Sequence, residues 1–198
     1  MSDTIRRHDG LARLMHWLMA LAVLTLLVTG LLPVVGVEFD WVPIHWIAGL
    51  VLTVCLLLHI VRSLFGGRFG RMLFRGRDVS ALSRSEVKPG KYSLAQKLMH
   101  NTVALFGLAV TITGCLMLLR IDTPFWARNP YVLTEQAWGI VYVIHGASAL
   151  VFLSLVMLHI YFSLRPEKSM YLKAMLSGRM SRRDYEAGHD ATLWAPRD

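Results

Sequence analysis

Four apolar runs divide the chain into segments long enough to cross a lipid bilayer. They cover approximately residues 14–33, 44–64, 98–119 and 138–164, and polar residues separate them. A helix needs about 20 apolar residues to span the hydrocarbon core, so each run predicts one transmembrane helix. We therefore expect an all-α membrane protein, a four-helix transmembrane bundle. It would form a single membrane domain over residues 1–198, with a polar tail over about 165–198.

The apolar runs repeat one another in pairs. Residues 44–64 read IHWIAGLVLTVCLLLHIVRSL, and residues 144–164 read IHGASALVFLSLVMLHIYFSL. The tripeptide Leu-Met-His occurs at 14–16 and again at 98–100, and Thr-Gly occurs at 29–30 and again at 113–114. This self-similarity indicates a two-helix unit that is used twice.

Charge is distributed unevenly between the connections. Residues 33–44 contain no Lys or Arg, whereas residues 62–97 contain nine, although the chain as a whole has a net charge of +8. By the positive-inside rule, both termini and the 62–97 connection face the cytoplasm. The basic charge does not indicate nucleic-acid binding, because no aromatic-interleaved basic face accompanies it. The two cysteines, Cys55 and Cys115, lie within spans and offer no disulfide framework or thiolate metal site.

Histidines lie inside the apolar runs at a fixed interval. His45 and His59 are fourteen residues apart, as are His145 and His159. Fourteen residues make almost four helical turns, so both rings of each helix lie on one face, separated by roughly 21 Å of rise. The expected topology places His45 and His145 towards the outer side. It places the other span histidines towards the inner side, namely His16, His59, His100 and His159.

Three uses of these imidazoles compete. Buried structural histidines usually occur singly, whereas here six lie in four spans. A path for zinc or another divalent ion would require carboxylate ligands, and the spans contain almost none. Haem b fits better, because its iron takes two axial imidazoles from facing helices. Gly30 and Gly114, level with the outer histidines, are expected to give a macrocycle room. The outer pair is then His45 with His145, whereas the inner pair is either His16 with His159 or His59 with His100.

The sequence resembles the cytochrome b (gamma) subunit of membrane-bound formate dehydrogenases. This family lies within the bacterial two-haem cytochromes b that also serve nickel-iron hydrogenases. The resemblance extends from about Arg13 to Arg183. It rests on Arg13-Leu14-Met15-His16-Trp17, His45 with Gly49, Gly90-Lys91-Tyr92 with Gln96-Lys97, Leu158-His159-Ile160-Tyr161, and Ser181-Arg182-Arg183.

The resemblance implies two haem b groups, held by His45 with His145 and by His16 with His159. It also implies that quinone is reduced near the inner haem, in the vicinity of Tyr92, Gln96 and His100. His59 and His100 are additional to the pattern of the dehydrogenase subunit. His100 is a candidate proton donor to quinone, His59 is a candidate partner of a haem propionate, and both are alternatively packing residues.

The function implied by the resemblance is electron transfer in the bacterial cytoplasmic (inner) membrane. A catalytic dehydrogenase subunit and an iron–sulfur subunit on the periplasmic side would supply electrons, and membrane quinone would accept them. No substrate-oxidising site is expected in this chain. The alternatives are a hydrogenase cytochrome b subunit, a stand-alone cytochrome b that acts between quinone and a small oxidant such as superoxide, and a haem-free transporter or scaffold.

Overall fold

The computed structural model describes residues 3–67, 69–76, 78 and 88–195. Four long helices dominate this part of the chain: α1 (Gly10–Leu31), α2 (Trp41–Phe65), α3 (Leu94–Met117) and α4 (Glu135–Leu164). All four are long and apolar enough to cross a membrane, so the prediction of a four-helix membrane protein is confirmed. Part of the predicted cytoplasmic connection at 62–97 lies outside the described residues.

Shorter elements lie at the two ends of the chain. Strand β1 (Thr4–Arg6) precedes α1, and helix α5 (Ser169–Ser177), strand β2 (Arg179–Ser181) and helix α6 (Arg182–Gly188) follow α4. Single 3₁₀ turns occur at Pro33–Val35, Phe69–Arg71, Leu118–Arg120, Pro130–Val132 and Pro166–Lys168.

Polar side chains cap the starts of α1 and α3 and explain why these two helices begin where they do. The Asp9 carboxylate accepts a hydrogen bond from the Ala12 amide at 2.8 Å, at the start of α1. At α3, the Gln96 side chain accepts from the Ser93 amide, and the Ser93 hydroxyl accepts from the Gln96 amide. This reciprocal arrangement is a capping box, which satisfies two amides that have no partner within the helix.

The chain divides into two compact units. The first comprises Met1–His16, His59–Thr102 and Met157–Asp198. In it, β1 and β2 pair in antiparallel fashion, with Ile5 opposite Met180. Ile5, Ala174, Met180 and Tyr185 form a small buried core, which joins the N-terminal strand to the C-terminal tail. The predicted polar tail is therefore folded over most of its length.

The second unit comprises Trp17–Leu58 and Val103–Val156. Its few buried side chains include Ala22, Ala48, Leu52 and the fully buried Trp138. Many large apolar side chains of its helices are instead exposed, for example Leu21 at 65% and Val143 at 70%. Helices that are apolar all round but buried on so small a part of their surface are suited to contact with lipid tails.

Candidate haem sites

In the second unit, α2 and α4 bring together the first pair of predicted ligands. The ring centroids of His45 and His145 are 6.5 Å apart, and the ring planes are inclined at 67°. The pair on facing helices is the arrangement that the sequence predicts, although the ligand roles themselves stay a prediction.

Two threonines that sequence reasoning did not select hold these rings. The Thr29 hydroxyl lies 2.8 Å from Nδ1 of His45, and the Thr113 hydroxyl lies 2.8 Å from Nδ1 of His145. Both threonines are almost fully buried. Each hydroxyl also lies within hydrogen-bond distance of the carbonyl four residues earlier, of Thr25 and Ala109 respectively.

These hydrogen bonds determine which nitrogen of each ring can bind a metal. A hydroxyl has one proton, and donating it to the helix carbonyl leaves its oxygen to accept from Nδ1–H of the imidazole. The lone pair then lies on Nε2. Histidine ligands commonly donate their second N–H to such a partner, which fixes the tautomer and orients the ring. The recurrence of Thr-Gly in the repeat was the one sequence signal that pointed to these threonines.

The predicted glycines lie against the same two rings. A Cβ atom added to Gly30 would lie 3.3 Å from Cε1 of His45, and one added to Gly114 would lie 3.4 Å from Cε1 of His145. Each glycine therefore gives an imidazole the room to lie close to the neighbouring helix. The sequence predicted that they make room for a macrocycle, and that role stays a prediction.

In the first unit, the inner histidines form two further pairs. The centroids of His16 and His159 are 6.2 Å apart, with ring planes at 60°. The centroids of His59 and His100 are 6.1 Å apart, with ring planes at 41°. Both of the inner pairings that the sequence left open are thus present.

The donor sets fit haem iron. Two imidazoles that bind a metal from opposite sides, with bonds of about 2.0–2.1 Å, place their ring centroids about 6.4 Å apart. The three pairs lie at 6.1–6.5 Å. Within the described residues, no group of three or more His, Cys, Asp or Glu side chains is placed to hold a metal ion. Two protein ligands complete the coordination of a porphyrin iron but not of zinc, which takes three or four.

The residues predicted near quinone have other contacts in the first unit. The Gln96 side chain belongs to the capping box at α3. The Tyr92 ring lies 5.6 Å from the Lys91 ammonium and 5.7 Å from the Arg7 guanidinium. His100 faces His59, as described above. Their role in binding quinone stays a prediction.

A buried arginine organises the folded tail. Arg7 donates from Nη2 to the Lys91 carbonyl at 2.8 Å, and its Nη1 lies 3.1 Å from Nε2 of His189. Its guanidinium lies over the rings of Tyr171 and Trp194. Because arginine can only donate, Nε2 of His189 accepts, and its Nδ1–H donates to the Gly90 carbonyl. Burial lowers the pKa of His189 and, to about 3, that of His8, where the charges of Lys91 and Arg7 add to the effect.

Four apolar helices that present imidazoles in facing pairs define the class of helical membrane proteins that bind haem between helices. The family model of the prokaryotic cytochrome b561 proteins matches residues 7–178, and the chain belongs to that family. No curated protein matches the chain. The protein is accordingly a multi-pass bacterial membrane cytochrome b that binds haem b and takes part in electron transfer. The resemblance to a bacterial cytochrome b is confirmed at this level.

Proposed function

We propose that this protein is a di-haem membrane-anchor subunit that carries electrons from a periplasmic dehydrogenase to membrane quinone. Its partners would be a formate dehydrogenase-like catalytic subunit and an iron–sulfur subunit, and it would lie in the cytoplasmic membrane with both termini inside. The observation that supports this proposal most strongly is the presence of a haem-compatible imidazole pair in each unit. The sequence spacing of fourteen residues separates the outer and inner histidines by roughly 21 Å of helix rise.

Haem b bound at these pairs supplies one-electron redox chemistry. In the proposal, His45 and His145 hold the outer group through Nε2, and His16 and His159 hold the inner one. Thr29 and Thr113 keep the outer rings in the tautomer with a free Nε2. Gly30 and Gly114 let those rings approach the neighbouring helices. Tyr92, Gln96 and His100 lie in the unit where quinone would be reduced.

The ligand assignment is tested by the haem content of the purified chain. A reduced-minus-oxidised spectrum of the wild type should show a b-type cytochrome. His45→Ala should lose one haem, whereas Ile47→Ala, a lipid-facing change two residues away, should lose none. His159→Ala and its exposed neighbour Leu158→Ala form the matched comparison for the inner group. Full haem content in His45→Ala would contradict the outer assignment.

The partner assignment is tested in membranes. Deleting the chain should abolish formate-dependent quinone reduction, while formate oxidation with an artificial dye continues in the released catalytic subunit. Repeating the comparison with hydrogen as the electron donor distinguishes a hydrogenase subunit from a formate dehydrogenase-like subunit. Unchanged quinone reduction with both donors would contradict the role as an anchor subunit.

A stand-alone quinone oxidoreductase is the second candidate. The family match supports a membrane cytochrome b of either kind, because the matched description, prokaryotic cytochrome b561, names no partner subunit. In that case the purified chain alone should pass electrons between superoxide and quinone. Such activity without any iron–sulfur subunit would contradict the anchor-subunit role and support this second candidate.

A further inference from the structure

A third pair of imidazoles lies beyond the two that the proposed function uses. His59 on α2 and His100 on α3 face each other in the first unit, with ring centroids 6.1 Å apart. This distance is close to those of the other two pairs, at 6.2 and 6.5 Å. It is also close to the separation of about 6.4 Å expected for two rings on one metal.

The internal repeat relates this pair to the inner pair of the proposed function. Leu-Met-His at 14–16 recurs at 98–100, which makes His16 equivalent to His100. Residues 44–64 recur at 144–164, which makes His59 equivalent to His159. Exchanging the two halves of the chain therefore converts the His16–His159 pair into the His100–His59 pair. Both pairs form in the structure.

The protein alone does not satisfy the His100 ring. Its Nδ1 atom is buried and has no hydrogen-bond partner among the described residues. A haem held through Nε2 would leave this atom without a partner, so a bound group is supported instead by the ring separation, the repeat and the donor set. His45 and His145 differ in this respect, because threonine hydroxyls bind their Nδ1 atoms.

The side chains of the site determine which kind of metal group His59 and His100 could bind. No third His, Cys, Asp or Glu joins the pair to make a metal site within the part of the chain that the structure describes. Two imidazoles leave zinc short of ligands, whereas a porphyrin supplies four nitrogens and needs only two axial ligands. We propose that His59 and His100 are the axial ligands of a third haem b, in addition to the two groups of the proposed function.

The first experiment measures haem per chain in the purified full-length protein, from the pyridine haemochrome and quantitative amino-acid analysis. The wild type should hold three haems. His59→Ala and His100→Ala should each hold two, and the double variant should also hold two, because both residues serve one group. Leu58→Ala, an exposed lipid-facing neighbour of His59, should keep three.

A second variant guards against loss of folding. Methionine is also an axial ligand of haem iron and raises its potential. His59→Met should therefore retain three haems, and a redox titration should show one of three one-electron waves moved to higher potential. The other two waves should keep their wild-type positions.

Two results would overturn the proposal. If the wild type holds two haems and His59→Ala still holds two, the third site binds no haem, while the proposed function stands. If the wild type holds two, His59→Ala holds one and His159→Ala holds two, there is again no third haem. In that case the inner ligands of the proposed function are also reassigned, to His59 and His100.

Discussion

The Thr29 hydroxyl lies 2.8 Å from Nδ1 of His45, and the repeat places Thr113 at the same distance from Nδ1 of His145. Because each threonine is followed by the glycine that contacts the same ring, one Thr-Gly dipeptide fixes both the tautomer and the position of each imidazole. The two halves of the chain thus contribute one ligand each with the same local support.

Replacing Thr29 with Val removes the hydroxyl and keeps the shape of the side chain. Loss of such an outer hydrogen bond typically weakens metal affinity by 10–100-fold, because the ligand becomes less basic and less well oriented. A less basic ligand also stabilises ferric iron less, so the midpoint potential of the outer haem should rise. Haem retention during dilution and a redox titration measure the two effects.

The control for this variant lies one turn earlier on the same helix. The Thr25 hydroxyl donates to the Leu21 carbonyl, so Thr25→Val should leave the haem unchanged. Thr29→Ser restores the hydroxyl and should restore the wild-type potential. Equal potentials in Thr29→Val and Thr25→Val would show that the hydroxyl does not support a ligand.

Adding a methyl group at Gly30 tests the space around the His45 ring. The new Cβ would lie 3.3 Å from Cε1, so the ring would have to move by a few tenths of an ångström. We expect a shifted α band of the reduced outer haem and partial loss of haem from Gly30→Ala. Gly49→Ala is the control on α2, because its Cβ would meet only a Leu26 methyl group at 3.9 Å. Identical spectra for both variants would argue against a constraint at Gly30.

Hydropathy predicted the four helices, which in the structure extend beyond the predicted spans at their starts. The observed helices begin at Gly10, Trp41, Leu94 and Glu135, three or four residues before the apolar runs. Hydropathy identifies the part of a helix that fits in the hydrocarbon core. The helix itself extends through polar residues as far as its N-terminal cap, for example the Ser93 and Gln96 pair at α3.

The candidate site was predictable to the extent that the histidines repeat. Their spacing and depth predicted His45 facing His145, and the structure has that pair. The fold of the tail was not predictable, because it depends on pairing between Ile5 and Met180, which are far apart in sequence. Neither segment shows an extended apolar pattern of its own, and no local rule connects two such short strands.

The stability of the first unit should fall in acid. Burial, followed by the charges of Lys91 and Arg7, lowers the pKa of His8 from 6.5 to about 3. Between these values the unfolded chain binds a proton that the folded chain does not, so stability is fully present above pH 6.5 and declines towards pH 3. The lowered pKa of His189 acts in the same direction.

Hydrogen exchange measures this pH dependence locally. After correction for intrinsic rates, amides of β1, β2 and α6 should be less protected at pH 5 than at pH 7.5. His8→Gln should show a smaller difference between the two pH values. A protection difference unchanged by His8→Gln would assign the effect to other groups.

Gly178 should tolerate no side chain. It follows α5 with φ of +84°, a left-handed conformation that costs a residue with Cβ roughly 1–2 kcal/mol. A Cβ there would also lie 2.9 Å from the His8 carbonyl oxygen, which belongs to the backbone and cannot rotate away. In addition, the Gly178 carbonyl accepts from the Arg7 and His8 amides, so any displacement weakens the junction between the two ends of the chain.

Gly178→Ala should therefore destabilise the folded tail by at least about 2 kcal/mol, the backbone strain and the Cβ contact together. Limited proteolysis should cut within α5 to α6 faster than in the wild type. Gly10→Ala is the control near the other end of the junction, because its Cβ would meet nothing within 4 Å. Since the His45–His145 pair belongs to the second unit, the spectrum of its haem should persist while the tail becomes susceptible. Wild-type cleavage rates in Gly178→Ala would mean that the His8 backbone adjusts without cost.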